Sequence, residues 1–337
     1  MPSFRRAIEH IYIETSLLDH PDAKRILSRF PNVHVIPVKR YTDVFNRPHQ
    51  DWSLQHSSLS LFLARKHGTL IYPGAPVCHD FGNERFFYTS TVINCIYDCE
   101  YCWLKGMYQS AWPVIFLNTD AFLKETEALL KDGPMYLSLS FESDLVPLES
   151  LTNHIRLWND FVLQHGGLTA EIRTKSGVTS LYSSLTPDPR MIFSFTLSPQ
   201  RLIDSSEHFT ASLRERLGAA ECAMEHGFPV RLSFDPIIRY EGWKKDWKEL
   251  VEITAETLPL AKVKDISIGT YRQSDAYQKR MRKRFPASVI IQYPYETNDG
   301  YCQYPRELRE EAEQFVKNEL LNHVREEQIY LLEEINS

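Results

Sequence analysis

The run Asn94-Cys-Ile-Tyr-Asp-Cys-Glu-Tyr-Cys-Trp103 sets three cysteines, Cys95, Cys99 and Cys102, at C-x3-C-x2-C spacing directly after the β-rich segment 86–93. Thiolates hold iron-sulfur clusters, and a cluster ordinarily takes four of them. Three close thiolates leave one iron open, and an open iron binds a small molecule. Two alternatives stand beside this reading: three unrelated thiols, or a zinc site completed by a distant residue. Zinc sites favour C-x2-C pairs or histidine spacings, and the nearest histidine, His79, lies well before the run.

Outward from the cysteines, strand-like and helix-like segments alternate. Segments 86–93, 135–141, 168–173, 191–197, 230–234 and 263–268 read as strands. Between them, 120–131, 149–165, 180–184, 211–226 and 244–257 read as helices, and 274–285 follows as another. Six βα units imply a parallel sheet bent into a barrel or part of one, whose chemistry sits at the strand C-termini. The cysteine loop follows the first of these strands. A doubly wound sheet is the alternative, but no G-x-G-x-x-G turn follows that strand. The first 85 residues, with a helix at 23–29, a strand at 33–38 and a helix at 58–66, are expected to form a cap. A further strand is expected at 289–293 and an amphipathic helix at 305–325, giving regions 1–85, 86–285 and 286–337.

The chain has 337 residues, 43% of them hydrophobic, enough for one large core. No apolar stretch reaches membrane-spanning length and the N-terminus lacks an apolar signal core, so a membrane anchor is not expected. Six cysteines in so long a chain do not make a disulfide scaffold, and reducing cytoplasm is the expected home. A formal net charge of −6 gives no global basic field. The run Lys279-Arg-Met-Arg-Lys-Arg284 reads either as a phosphate-contacting patch or as the solvated face of a surface helix.

The cysteine spacing is similar to the hallmark of the radical S-adenosylmethionine (SAM) enzymes, and the wider sequence resembles the spore photoproduct lyase family among them. The likeness runs from about 86 to 271. It is carried by Cys99-Glu-Tyr-Cys-Trp-Leu104, Phe141-Glu-Ser-Asp-Leu-Val146, Glu171-Ile-Arg-Thr-Lys-Ser176, Phe193-Ser-Phe-Thr196 and Asp235-Pro-Ile-Ile-Arg-Tyr-Glu-Gly-Trp243. The resemblance implies an α/β fold, a partial (β/α)6 radical SAM barrel with an N-terminal cap and a C-terminal helix. It implies a 4Fe-4S cluster on Cys95, Cys99 and Cys102, and SAM contacts from Ser143, Lys175 and Ser194. These three lie at or near the ends of successive strands, where a lysine pairs with a carboxylate and hydroxyls bond amino or ribose groups.

The implied reaction is reductive cleavage of SAM to methionine and a 5'-deoxyadenosyl radical, which abstracts a hydrogen from a thymine dimer lesion in DNA and triggers its reversion to two thymines. DNA is the implied partner, with an electron donor such as flavodoxin or ferredoxin. The family quenches the substrate radical with a cysteine two residues before the SAM-contacting serine, helped by tyrosines flanking the last cluster cysteine. Here the cysteine position is Phe141, and of the two tyrosines Tyr101 remains while Trp103 replaces the other. The expected substitutes are Cys78, Cys222 or Cys302, with Cys302 favoured because Tyr301 and Tyr304 flank it. Two other readings stay open: a family member acting on a different nucleic acid, a peptide or a small molecule, and a noncatalytic cluster-binding protein.

Overall fold

Eight strands lie side by side in chain order through the centre of the molecule, a computed structural model that describes residues 7–75 and 78–331. They are β1 (Ile71–Pro73), β2 (Phe86–Thr89), β3 (Met135–Ser138), β4 (Leu168–Thr174), β5 (Met191–Thr196), β6 (Val230–Ile237), β7 (Asp265–Thr270) and β8 (Ile329–Leu331). The edge strand β1 is antiparallel to β2, and from β2 to β8 every neighbouring pair is parallel. Helices Thr119–Leu130, His154–Gln164, Leu213–Glu225 and Trp243–Thr257 make four of the connections. Such crossovers bury both faces of a parallel sheet, so its strands need apolar or internally paired residues on both sides. Accordingly, all six residues of β5 and all six of β7 are buried.

Local chemistry fixes the crossover helices. Leu213–Glu225 begins with a capping box: Ser212 Oγ accepts from the Glu215 amide and the Glu215 carboxylate accepts from the Ser212 amide. Trp158 and Trp247, both fully buried, anchor His154–Gln164 and Trp243–Thr257 to the sheet. Truncating either to alanine costs about 3–5 kcal/mol on the scale of large core deletions.

The sequence expectations fail in specific places. Residues 58–66 contain the strand Leu59–Ala64, not a helix; each of its residues is buried, and an apolar run covered on both faces carries no alternation to separate it from a helix. Residues 289–293 form the helix Val289–Gln292, started by Ser288 Oγ accepting from the Ile291 amide at 3.3 Å, not a strand. Asn153, at φ 60°, breaks the expected helix 149–165 into Glu149–Thr152 and His154–Gln164. Expected strand 86–93 also splits, with Phe86–Thr89 in the main sheet and Val92–Ile93 in another. That second sheet runs His34–Val38, Ile8–Glu14, Leu59–Ala64, Val114–Phe116, Val92–Ile93. The region before residue 86 is therefore stitched to the chain on either side of the cysteine loop.

Candidate active site

The cysteine loop leaves Val92–Ile93 through Asn94, whose φ of 61° reverses the chain. Asparagine tolerates this left-handed conformation, and its Nδ2 holds the turn by donating to the Ser110 carbonyl at 2.6 Å. Asp98–Cys99 then pairs antiparallel with Glu207–His208, and Cys102 leads into the short helix Leu104–Met107. Lys105, 4% exposed, places Nζ 2.5 Å from Asp98 Oδ1 and so ties the end of the loop to its middle. Helix Asp275–Arg284 clamps the same turn: Arg284 donates to the Lys105 carbonyl at 2.5 Å and the Tyr108 carbonyl at 2.7 Å. A Cβ on Gly106 would lie 2.8 Å or less from the backbone of Tyr277, which is why this close approach takes glycine.

Two arginines of the basic run thus turn inward, since Arg282 likewise donates to the Tyr293 carbonyl at 2.8 Å. Lys279 is paired with Asp275 at 2.6 Å. Within the run it is Arg284 that fastens the turn following the cysteine loop.

Cys95, Cys99 and Cys102 line one cavity of about 620 Å³ over the carboxyl ends of the central strands. Burial pushes the Cys99 thiol up to about 12 and raises Cys95 and Cys102 as well. Among the described residues, no group of three or more His, Cys, Asp or Glu converges on a single-ion site. The three thiols border one shared space, and thiolates are the ligands that hold iron-sulfur clusters.

Ser143 and Lys175 line the same cavity. Ser143 Oγ is buried without a hydrogen-bond partner, which fits a hydroxyl waiting for a polar cofactor. Ser194 is placed differently. It is 0% exposed, its Oγ is also unpartnered, and it sits one layer below the cavity. Thr196, two residues on and on the same face of β5, is the hydroxyl that reaches the lining. Asp144, unnoticed in the sequence, fastens the rims of β3 and β4: it accepts from Thr174 Oγ1 at 2.9 Å and from the Lys175 amide at 2.7 Å. Burial pushes its carboxyl up to about 6.

The rest of the lining is aromatic and cationic. Tyr101, Trp103, Phe141 and Tyr277 are in it, and so are Arg173 and the Arg272–Asp235 pair, bonded at 2.8 Å. Phe141 stacks on Tyr88 at 4.0 Å and meets Trp103 edge-on at 5.5 Å. Of the three spare cysteines, only Cys78 lines this cavity. Cys302 is 2% exposed, with its thiol turned to Thr297 Oγ1 at 3.4 Å and Asp275 Oδ1 at 3.6 Å. Cys222 lies on helix Leu213–Glu225 beside His226.

Parallel strands in chain order, with a three-cysteine loop after the first and an unpartnered serine and a lysine on the next rims, have the construction of a radical SAM enzyme. The family profile described as spore photoproduct lyase matches residues 7–326. A spore photoproduct lyase of Clostridium acetobutylicum is 23% identical over 300 residues, covering 85% of this chain and 84% of that protein. One from Geobacillus sp. (strain Y412MC61) is 23% identical over 208 residues, 60% of this chain and 58% of that one. Among solved structures, spore photoproduct lyase complexed with dinucleoside spore photoproduct superposes with a TM-score of 0.83 at 17% identity, over 99% of both chains. A double mutant with bound AdoMet and dinucleoside spore photoproduct gives 0.82 at 17% identity, over 97% of this chain and 98% of that one. The chain belongs to the spore photoproduct lyase family, and the cofactors of that family are a 4Fe-4S cluster and SAM.

Proposed function

We propose that this protein is a radical SAM lyase that repairs spore photoproduct in DNA. The observation that carries the reading is the joining of three cluster cysteines, the unpartnered Ser143 hydroxyl and Lys175 in one cavity. When bound, a reduced 4Fe-4S cluster with SAM supplies a 5'-deoxyadenosyl radical for hydrogen abstraction. Cys95, Cys99 and Cys102 would hold the cluster, Lys175 the SAM carboxylate, and Ser143 with Thr196, above Ser194, its polar groups. The six consecutive parallel strands β2 to β7 support an incomplete (β/α)6 barrel over 86–285. Residues 1–85 would act as a cap whose sheet takes in strands at 92–93 and 114–116, and 286–337 as a terminal region. DNA is the proposed partner, flavodoxin or ferredoxin the proposed class of reductant, and the cytoplasm the proposed location; no helix among the described residues is long and apolar enough to cross a membrane.

The hydrogen donor is proposed to be Cys78, not Cys302. Cys78 reaches the cavity, and burial raises its thiol, keeping the S–H hydrogen that a donor must own. Transfer of that hydrogen atom to the substrate carbon radical leaves a thiyl at Cys78, which one electron from the proposed flavodoxin or ferredoxin and one proton from solvent return to the thiol. Tyr101 and Trp103 border the same space.

Phe141 favours a second reading, in which the same radical chemistry acts on another substrate. Anaerobic reconstitution with SAM, dithionite and dinucleoside spore photoproduct decides between them. Release of thymidine products supports repair. Cleavage of SAM to 5'-deoxyadenosine with the lesion untouched supports a different substrate.

A further inference from the structure

We propose that Glu207 is the positioning residue that holds Lys175 in the SAM site and couples that lysine to the cluster loop. This rests on the reading of Lys175 as the SAM carboxylate's partner. Glu207 is 1% exposed and stands on the short strand that pairs with Asp98–Cys99, opposite Cys99 itself. The Glu100 amide donates to the Ser206 carbonyl at 2.8 Å, so the two segments are bonded on both sides of Cys99.

The carboxylate gathers donors from separate parts of the chain. Oε1 accepts from Lys175 Nζ at 2.8 Å, from Ser198 Oγ at 2.7 Å and from the Tyr101 hydroxyl. Oε2 accepts from Arg216 Nη2 at 2.5 Å. Lys175 Nζ in turn donates to Tyr101 Oη at 2.5 Å. A lysine ammonium rides on a flexible four-carbon stem and has no preferred direction of its own. Here two acceptors aim it, one of them between two cluster cysteines in sequence and the other paired with one through its backbone. The third ammonium hydrogen remains for a ligand carboxylate. Arg216, fully buried and donating also to the Thr196 carbonyl at 3.0 Å, fixes Glu207 from behind. Tyr101 is thereby a member of this assembly, with its hydroxyl committed to Glu207 and Lys175.

Calorimetric titration of SAM into anaerobically reconstituted protein tests the proposal, with iron content and cluster absorption recorded for each variant. Glu207→Gln is expected to weaken SAM about tenfold with the cluster spectrum retained. In a Lys175→Ala background the same change is expected to cost less than about twofold, because its effect passes through Lys175. A merely structural role would weaken SAM equally in both backgrounds, and that result, or wild-type affinity in the single variant, overturns the proposal. If Glu207→Gln does not fold, Tyr101→Phe, which deletes the hydroxyl shared by Lys175 and Glu207, must show the same dependence on Lys175. Unchanged affinity in Lys175→Ala alone would refute the reading of Lys175, and any loss in Glu207→Gln would then count against positioning.

Discussion

The two sides of the cavity have been held to different standards. On the side proposed for the cluster, Cys95, Cys99, Cys102, Ser143 and Lys175 gather around one cavity, and contacts from Asp98, Lys105, Asp144 and Glu207 brace them. On the side proposed to face the substrate, Phe141 is packed between Tyr88 and Trp103, and the Cys78 thiol enters from the loop between β1 and β2. The contrast teaches that making the radical leaves little freedom, since every ligand must reach one cofactor, whereas quenching it needs only a weak hydrogen within reach.

Replacing any of Cys95, Cys99 or Cys102 with alanine should give the largest effect, eliminating the cluster absorption and SAM cleavage together. Anaerobic iron and sulfide analysis checks this; stoichiometric zinc with no iron in the wild-type protein would break the cluster side of the comparison. Lys175→Ala should keep the cluster and weaken SAM by roughly tenfold or more, the loss of one charge-assisted hydrogen bond at about 1.5–3 kcal/mol. Equilibrium binding of SAM is the readout.

Phe141→Cys sharpens the other side. It sets a thiol next to Trp103 and should restore a part of the clean repair lost in a Cys78→Ala background. Product analysis of the double variant shows whether it does; no recovery would mean that the aromatic wall has moved the substrate away from position 141.

The smallest expected effect lies outside the cavity. His154 is 3% exposed, its Nδ1 has no partner, and burial lowers its ionisation to about 4. The unfolded chain takes up this proton near the ordinary value of about 6.5, so the native state binds it less readily. Its contribution is complete above pH 6.5 and is lost as pH falls through 6.5 toward 4. His154→Leu should flatten that part of the stability curve, as read by urea denaturation at a series of pH values.

What the sequence discloses follows from the range of the interactions. Cys95, Cys99 and Cys102 stand out because they fall within eight residues, Ser143 and Lys175 are implied by the family resemblance, and the structure brings all five to one cavity. Ser194 and Thr196 differ by one step of strand period, and only the height of the cavity floor decides which of them reaches it. Asp144 and Glu207 find partners 31 and 32 residues away, and Glu207 reaches Tyr101 across 106, so no local pattern announces them. The tyrosines around Cys302 are real neighbours in sequence, yet antiparallel pairing of Tyr301–Gln303 turns the thiol toward Thr297. Leu59–Ala64 misleads for a different reason: burial on both faces removes the alternation by which a strand is recognised.

The central claim, that radical generation is retained while the hydrogen donor has moved to Cys78, is tested most directly by the products of Cys78→Ala acting on dinucleoside spore photoproduct under anaerobic, reducing conditions. The expected result is continued formation of 5'-deoxyadenosine with clean thymine recovery replaced by side products of the unquenched radical, while Cys302→Ala repairs as the wild type does. Clean repair by Cys78→Ala would contradict it.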